Sequence, residues 1–212
     1  GSPVIRWSGC NQPTRKVDHL MDDRANPAPL GLMGFGMTTV LLNLHNAGFF
    51  AVGAMILAMG FFYGGIAQII AGILEFRKNN TFGMTAFISY GSFWLTLGFV
   101  WLVTGVGNSA GGGIYPAENV DYIGWYLFMW GVFTLWMFLN TLNKNRSLQV
   151  IFGTLVILFW LLAIADWTGS SALREIAGWE GIFCGFSAIY LAAAEVFKET
   201  YGREILPIGE IK

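Results

Sequence analysis

Six apolar stretches, about Leu30–Phe50, Ala54–Leu74, Gly83–Val103, Tyr122–Leu142, Ser147–Ala165 and Gly178–Phe197, punctuate this chain. Each has roughly the 20 residues a helix needs to cross hydrocarbon. Of the 25 charged residues only Glu180 and Glu195 fall inside these windows, both near an end. Charge is costly in lipid, and a soluble helical bundle would carry a charged face on every helix. The composition agrees: 12% charged and 55% hydrophobic, against roughly 25% and 45–50% in a soluble domain. These features predict an all-α membrane protein, a six-transmembrane-helix bundle over residues 26–200. A polar N-terminal tail (1–25) precedes it and a short C-terminal tail (201–212) follows.

The connecting segments orient the bundle. Eleven of the 12 basic residues fall before the first span, between spans two and three, between four and five, and after the sixth; Arg174 alone is opposite. The excess of lysine and arginine on cytoplasmic loops therefore predicts both termini in the cytoplasm of a multi-pass plasma-membrane protein, the inner membrane if bacterial. No signal-peptide pattern precedes the first span, so that span is expected to be retained. A formal charge of -1 gives no reason to expect nucleic acid as a partner. Cys10 and Cys184 match no metal-binding spacing, so neither a disulfide nor a metal is expected.

The stretch NPAPLGLMGFGMTTVLLNLHN, Asn26 to Asn46, sets two prolines at the start of an apolar segment that then carries polar residues. Asn26 can cap a helix beginning at Pro27, because its side chain accepts from free backbone donors and a first-turn proline has no donor to orphan. Phe35, Thr39, Leu42 and Asn46 then fall near one line of the helix, with Asn43 beside it. Span three repeats the pattern with Thr85, Ser89, Ser92 and Thr96. Such stripes form interhelical hydrogen bonds or line a solute path. Together with Gln68, Tyr90, Asn140, Thr154 and Tyr190 they favour a path. His45, about 27 Å along the helix from Pro27, should emerge near the outer surface as a hydrated vestibule residue. Gly60 with Gly64, and Gly181 with Gly185, allow close helix packing or a hinge. Trp94, Trp101, Trp125, Trp136, Trp167 and Trp179 read as an interfacial belt.

The motif NPAPLGLMGFG resembles the signature of the acetate uptake transporter family, which includes bacterial succinate–acetate permeases and fungal acetate transporters. LLNLHNAGFF, AMGFFYGGIAQIIAGILEF, NTFGMTAFISYGSFWLTL, WGVFTLWMF, AGWEGIFCGFSAIYLAAAEV and YGREILPIGE extend the resemblance, in order, over about residues 26–210. The resemblance implies a hexamer in which each protomer has its own path for acetate and related small carboxylates, with succinate for some members. It places the narrowing on Phe35, Tyr90 and Leu155 and a size-determining position at Ala188. Three features depart from the family pattern: the long head, the glycine-rich loop Gly105–Asp121, and Glu180, a carboxylate at the outer mouth.

The polar lining then comprises Asn26, Thr39, Asn43, His45, Asn46, Gln68, Ser89 and Thr154. No lysine, arginine or carboxylate is expected mid-bundle, which predicts weak binding, fast passage and no side-chain proton relay. No catalytic motif of the HExxH or GxSxG kind is present, and no cofactor is expected. A channel for another small solute such as ammonia, and a membrane sensor or scaffold, are the alternatives. The residues leave channel and proton-coupled permease open.

Overall fold

In the computed structural model, which describes residues 25–105, 113–114 and 121–211, the described chain is helical apart from short connections and one isolated bridge. Six long helices follow in order: α1 (Ala28–Asn46), α2 (Ala54–Arg77), α3 (Thr81–Thr104), α4 (Asp121–Leu139), α5 (Arg146–Thr168) and α6 (Ser171–Tyr201). The expected N-terminal tail, Cys10 and most of the glycine-rich loop lie outside the described residues. Five of the helices, α2 to α6, are long and apolar enough to cross a membrane. α1 has the length, 19 residues, but Asn43, His45 and Asn46 dilute its hydropathy at one end.

Local chemistry sets the boundaries. Asn26 Oδ1 accepts from the Ala28 N–H at 3.2 Å, and Pro29 occupies the first turn. The helix thus opens at Ala28, one residue beyond the expected Pro27, which stands as its flanking residue. It stops at Asn46, short of Phe50, where Gly48 adopts a φ of +88°. Asn80, Asn145 and Ser170 cap α3, α5 and α6 by accepting from Gly83, Leu148 and Leu173 backbone N–H groups. The Ser170 cap starts α6 well before Gly178 and makes it 31 residues long.

Two kinds of seam hold the bundle. Along α1 and α6 the backbones nearly touch: a Cβ added at Gly36 would come within 2.8 Å of the Gly185 carbonyl oxygen, and one at Gly185 equally near that of Gly36. The Gly181–Gly185 spacing therefore serves packing. A Cβ at Gly91 would come within 2.8 Å of the Gly65 carbonyl oxygen, so α2 and α3 pack in the same manner, and Gly64 makes room for the Trp94 ring. Across α3 and α4, large rings fill the space instead: Phe93 stacks on Tyr126 at 5.6 Å and meets Trp130 edge-on at 5.3 Å, while Tyr90 meets Phe133 at 5.5 Å.

α2 carries a wide-turned π stretch, Met59–Ala67. Such insertions are frequent at functional sites, and this one ends at Gln68, whose side chain is buried. The C-terminal residues fold back on the bundle: Arg146 and Ser147 N–H groups donate to Gly209 and Ile208 carbonyls, at 2.9 and 3.1 Å. Tyr190 Oη donates to the Pro207 carbonyl at 2.9 Å.

Candidate functional site: two chambers and a shared neck

The bundle encloses two cavities. The first, of 290 Å³, lies toward the start of α1 and reaches Asn26, Gln68, Glu75, Lys78, Tyr90 and Glu195. The second, of 300 Å³, lies toward the end of α1 and reaches Thr39, Asn43, Asn46, Trp94, Asp166 and Arg174. We call them the proximal and distal chambers. Phe35 and Leu155 are the residues common to both linings. Both are nearly fully buried, one on α1 and the other on α5.

Tyr90 closes the proximal side of this neck. Its ring centroid lies 5.9 Å from that of Phe35 and 6.0 Å from that of Phe152. Its hydroxyl donates to Thr134 Oγ1 at 3.0 Å, and Thr134 donates in turn to the Trp130 carbonyl at 2.7 Å. The ring is thereby fixed from behind, and an apolar surface is what the neck receives.

On either side of the neck stands a buried polar atom with no hydrogen-bond partner among the described residues: Gln68 Oε1 in the proximal chamber and Thr39 Oγ1 in the distal one. These residues are 1% and 2% exposed. Leaving such an atom unsatisfied costs about 1–3 kcal/mol, so each is poised for a polar solute or water. Trp94 adds a buried indole N–H, also unpartnered, to the distal wall. Asn43 Nδ2 donates to the Thr39 carbonyl at 2.9 Å, and Asn46 Nδ2 donates to Asn43 Oδ1 at 3.0 Å, an amide ladder toward the distal mouth.

Charge concentrates at the two mouths. At the proximal one, Lys78 Nζ donates to Asn26 Oδ1 and Asn26 Nδ2 to Glu195 Oε2, both at 3.2 Å, so one asparagine joins a cation to a carboxylate. Glu75, 1% exposed, accepts from Asn80 Nδ2 at 2.6 Å while its other oxygen has no partner among the described residues. Lys144 completes the charged lining. At the distal mouth, Arg174 donates to Asp166 at 2.5 Å.

The structure gathers Phe35, Tyr90, Leu155, Asn26, Gln68, Thr39, Asn43 and Asn46 around these chambers. It leaves four expected residues outside them. Ser89 lies in a lateral groove with Ser92, Trp125 and Met129, and Ser92 and Thr96 hydroxyls donate back to their own helix; the α3 polar stripe faces away from the interior. Thr154 donates to the Val150 and Ile151 carbonyls and lines neither chamber. His45 sits at the rim, its Nδ1 2.8 Å from the Phe50 carbonyl oxygen, where it holds the turn after α1. Ala188 is fully buried in α6, outside both linings.

Three further expectations need correction. Trp94 is 3% exposed and lines the distal chamber, so it is no belt residue. Glu180 lines neither chamber; both its oxygens are buried without a partner among the described residues. Charge does reach the chambers, through Glu75, Lys78, Lys144, Glu195, Asp166 and Arg174. Sequence reasoning missed Glu75 because it stands one residue past the apolar window, and Asp166 and Arg174 because a Gly-Ser corner separates them.

A long apolar helical bundle with two chambers in line defines a membrane protein built around an internal cavity system. The model of the GPR1/FUN34/yaaH family matches residues 10–207, and the chain belongs to that family. It is 59% identical over 186 residues to the succinate-acetate/proton symporter SatP of Escherichia coli, covering 88% of this chain and 96% of that protein. It is 35% identical over 178 residues to the ammonia transport outward protein 2 of Saccharomyces cerevisiae, covering 81% of this chain and 61% of that one. Among solved structures, the bacterial acetate channel SatP superposes with a TM-score of 0.83 at 59% identity, covering 88% of this chain and 99% of that chain.

Proposed function

We propose that this protein carries acetate and related small carboxylates, succinate among them, across the membrane through a path inside each protomer. The observation that carries the reading is the pair of chambers whose linings share Phe35 and Leu155. Phe35, Tyr90 and Leu155 are the constriction. Asn26 and Gln68 serve the proximal side, and Thr39, Asn43 and Asn46 the distal side. Ala188 acts on solute size indirectly, by setting how close α6 lies to its neighbours. All six helices span the bilayer, α1 shielded by its neighbours where it is polar. Both ends lie in the cytoplasm and the proximal mouth opens there, consistent with Arg77, Lys78, Lys144 and Arg146 in its connections. The protein works without a catalytic step, as a homo-oligomer, a hexamer, in the plasma membrane or bacterial inner membrane.

A carboxylate anion is costly to move through hydrocarbon. Each chamber offsets part of that cost with neutral polar groups, the Gln68 amide on one side and the Thr39 hydroxyl, Asn46 amide and Trp94 N–H on the other. The short apolar neck offers nothing to grip, so the solute binds weakly and passes quickly. Phe35 and Leu155 are apolar and the Tyr90 hydroxyl is engaged with Thr134, so a co-transported proton travels on the carboxylic acid.

Uptake of labelled acetate by vesicles containing the purified protein, with and without a pH gradient, tests this. Saturation only at high concentration and competition by succinate are the expected results. Flux that ignored carboxylate competitors but carried ammonia would favour the second reading, which the similarity to the yeast ammonia protein supports. Strict coupling of one proton per acetate that vanished on replacing one side chain would overturn the absence of a relay.

A further inference from the structure

Beyond the two chambers, a shallow depression opens at the distal surface, bordered by His45, Gly48, Ser171 and Glu175. Asn46, Gly169 and Arg174 line both this depression and the distal chamber, and so form the doorway between them. Arg174 is the one cation among the described residues lining either space. Its side chain is 43% exposed, whereas that of its partner Asp166 is 8% exposed.

We propose that Arg174 is a carboxylate-capture site at the distal doorway, with Asp166 limiting how tightly it holds. The proposal deepens the reading of this protein as a carboxylate transporter and rests on it. A guanidinium carries five N–H donors in a planar fork and suits carboxylates bidentately. Asp166 Oδ1 takes one NH2 donor, at 2.5 Å, from the buried side. The other guanidinium donors belong to a side chain that lines the depression and is 43% exposed.

An arginine facing the doorway alone would hold a carboxylate as a strong charge-assisted pair and slow its release into the chamber. Sharing the guanidinium with a buried carboxylate weakens that hold. The anion, once through the doorway, meets the Asn46 and Asn43 amides, then Trp94 and Thr39, each an uncharged group. Among the described residues at the entrance Arg174 supplies the favourable sign, beside Glu175 and Asp166, and a charge at a cavity mouth steers ions toward it.

The two partners should therefore move transport in opposite directions. Initial rates of acetate entry from the distal side are measured in vesicles of fixed protein orientation. Arg174→Gln is expected to raise the half-saturation concentration about tenfold, the loss of one charge-assisted hydrogen bond. Asp166→Asn is expected to lower the half-saturation concentration and also the maximal rate. Arg174→Lys, which keeps the charge and loses the fork, should fall between wild type and Arg174→Gln. Acetamide, a neutral solute of the same shape, should enter all four proteins at equal rates if it enters at all.

If both substitutions shift half-saturation the same way, or if acetamide and acetate change together, the pair is a structural latch between α5 and α6 and the capture site is overturned. Wild-type vesicles that admit no carboxylate at all would instead overturn the transport reading itself. Size-exclusion elution matching wild type confirms that each variant is folded and assembled, and Arg174→Lys carries the test should Arg174→Gln fail to assemble.

Discussion

The proximal and distal chambers have nearly the same volume, 290 and 300 Å³, yet they are built by different chemistry. The proximal one is ringed by charges that are tied together: Lys78 to Glu195 through Asn26, and Glu75 to Asn80. The distal one has a single ion pair at its mouth and a ladder of neutral groups leading inward from it. Charge gathers toward the distal mouth and, on the proximal side, extends inward through the buried Glu75, while the residues at the neck are uncharged in both. A path for small anions needs this grading, because fixed charge next to an apolar neck would either trap the anion or repel it.

The comparison can be broken most severely at the place where the chambers meet. Phe35→Ala joins them into one cavity; the ratio of succinate to acetate flux is expected to rise about tenfold, in line with what pocket size discriminates. Competition between labelled acids in vesicles measures it. An unchanged ratio would place the selective element elsewhere.

The polar groups flanking the neck sharpen the contrast next. Gln68→Leu on the proximal side and Thr39→Val on the distal side each remove a buried atom that lacks a partner. An unsatisfied group costs about 1–3 kcal/mol, so each substitution should raise thermal stability in detergent while slowing acetate flux severalfold. Thermal shift and flux on the same preparations check the pair. Faster flux from either variant would remove that residue from the path.

How much of this was legible in the residues depends on the physics each feature obeys. Helix number followed from hydropathy, since lipid leaves a helix few other options, whereas the end of α1 and the start of α6 were set by Gly48 and the Ser170 cap, which hydropathy does not see. Gly181 and Gly185 marked close packing because only a missing Cβ permits it; their partner Gly36 was not singled out. Polar stripes misled: Ser89, Ser92 and Thr96 share a face of α3, but spacing says which residues lie together and not which way that face turns. Serine and threonine can satisfy their hydroxyls on their own helix, as Thr154 does, so their presence in a span carries little information about a cavity. Phe35 and Leu155 were placed by resemblance to a family; nothing in LMGFG or VIFGTLV distinguishes a neck residue from a core residue. The ion pair of Asp166 and Arg174 was hidden because folding at Gly169, with its φ of +63°, is what brings them together.

Smaller effects are expected behind the neck. Thr134→Val removes the acceptor for the Tyr90 hydroxyl and should cost about 1–3 kcal/mol, the penalty for a buried donor left without a partner. Urea or thermal unfolding gives the stability change, and a modest loss of size discrimination should accompany it as the ring loosens. Ser89→Ala and Thr154→Val, outside both chambers, should leave acetate flux unchanged and stability within about 0.5 kcal/mol. A large loss of flux from either would return that residue to the path.

The central claim is that solute crosses within one subunit, between Phe35 and Leu155. Acetate flux through vesicles containing Leu155→Trp tests it most directly, since the larger ring fills the neck from α5 without touching either mouth. The account expects flux to fall to the level of empty vesicles while the protein elutes at its wild-type size. Flux that persisted at the wild-type rate in an intact assembly would contradict it, and would send the path to the lateral surfaces between subunits.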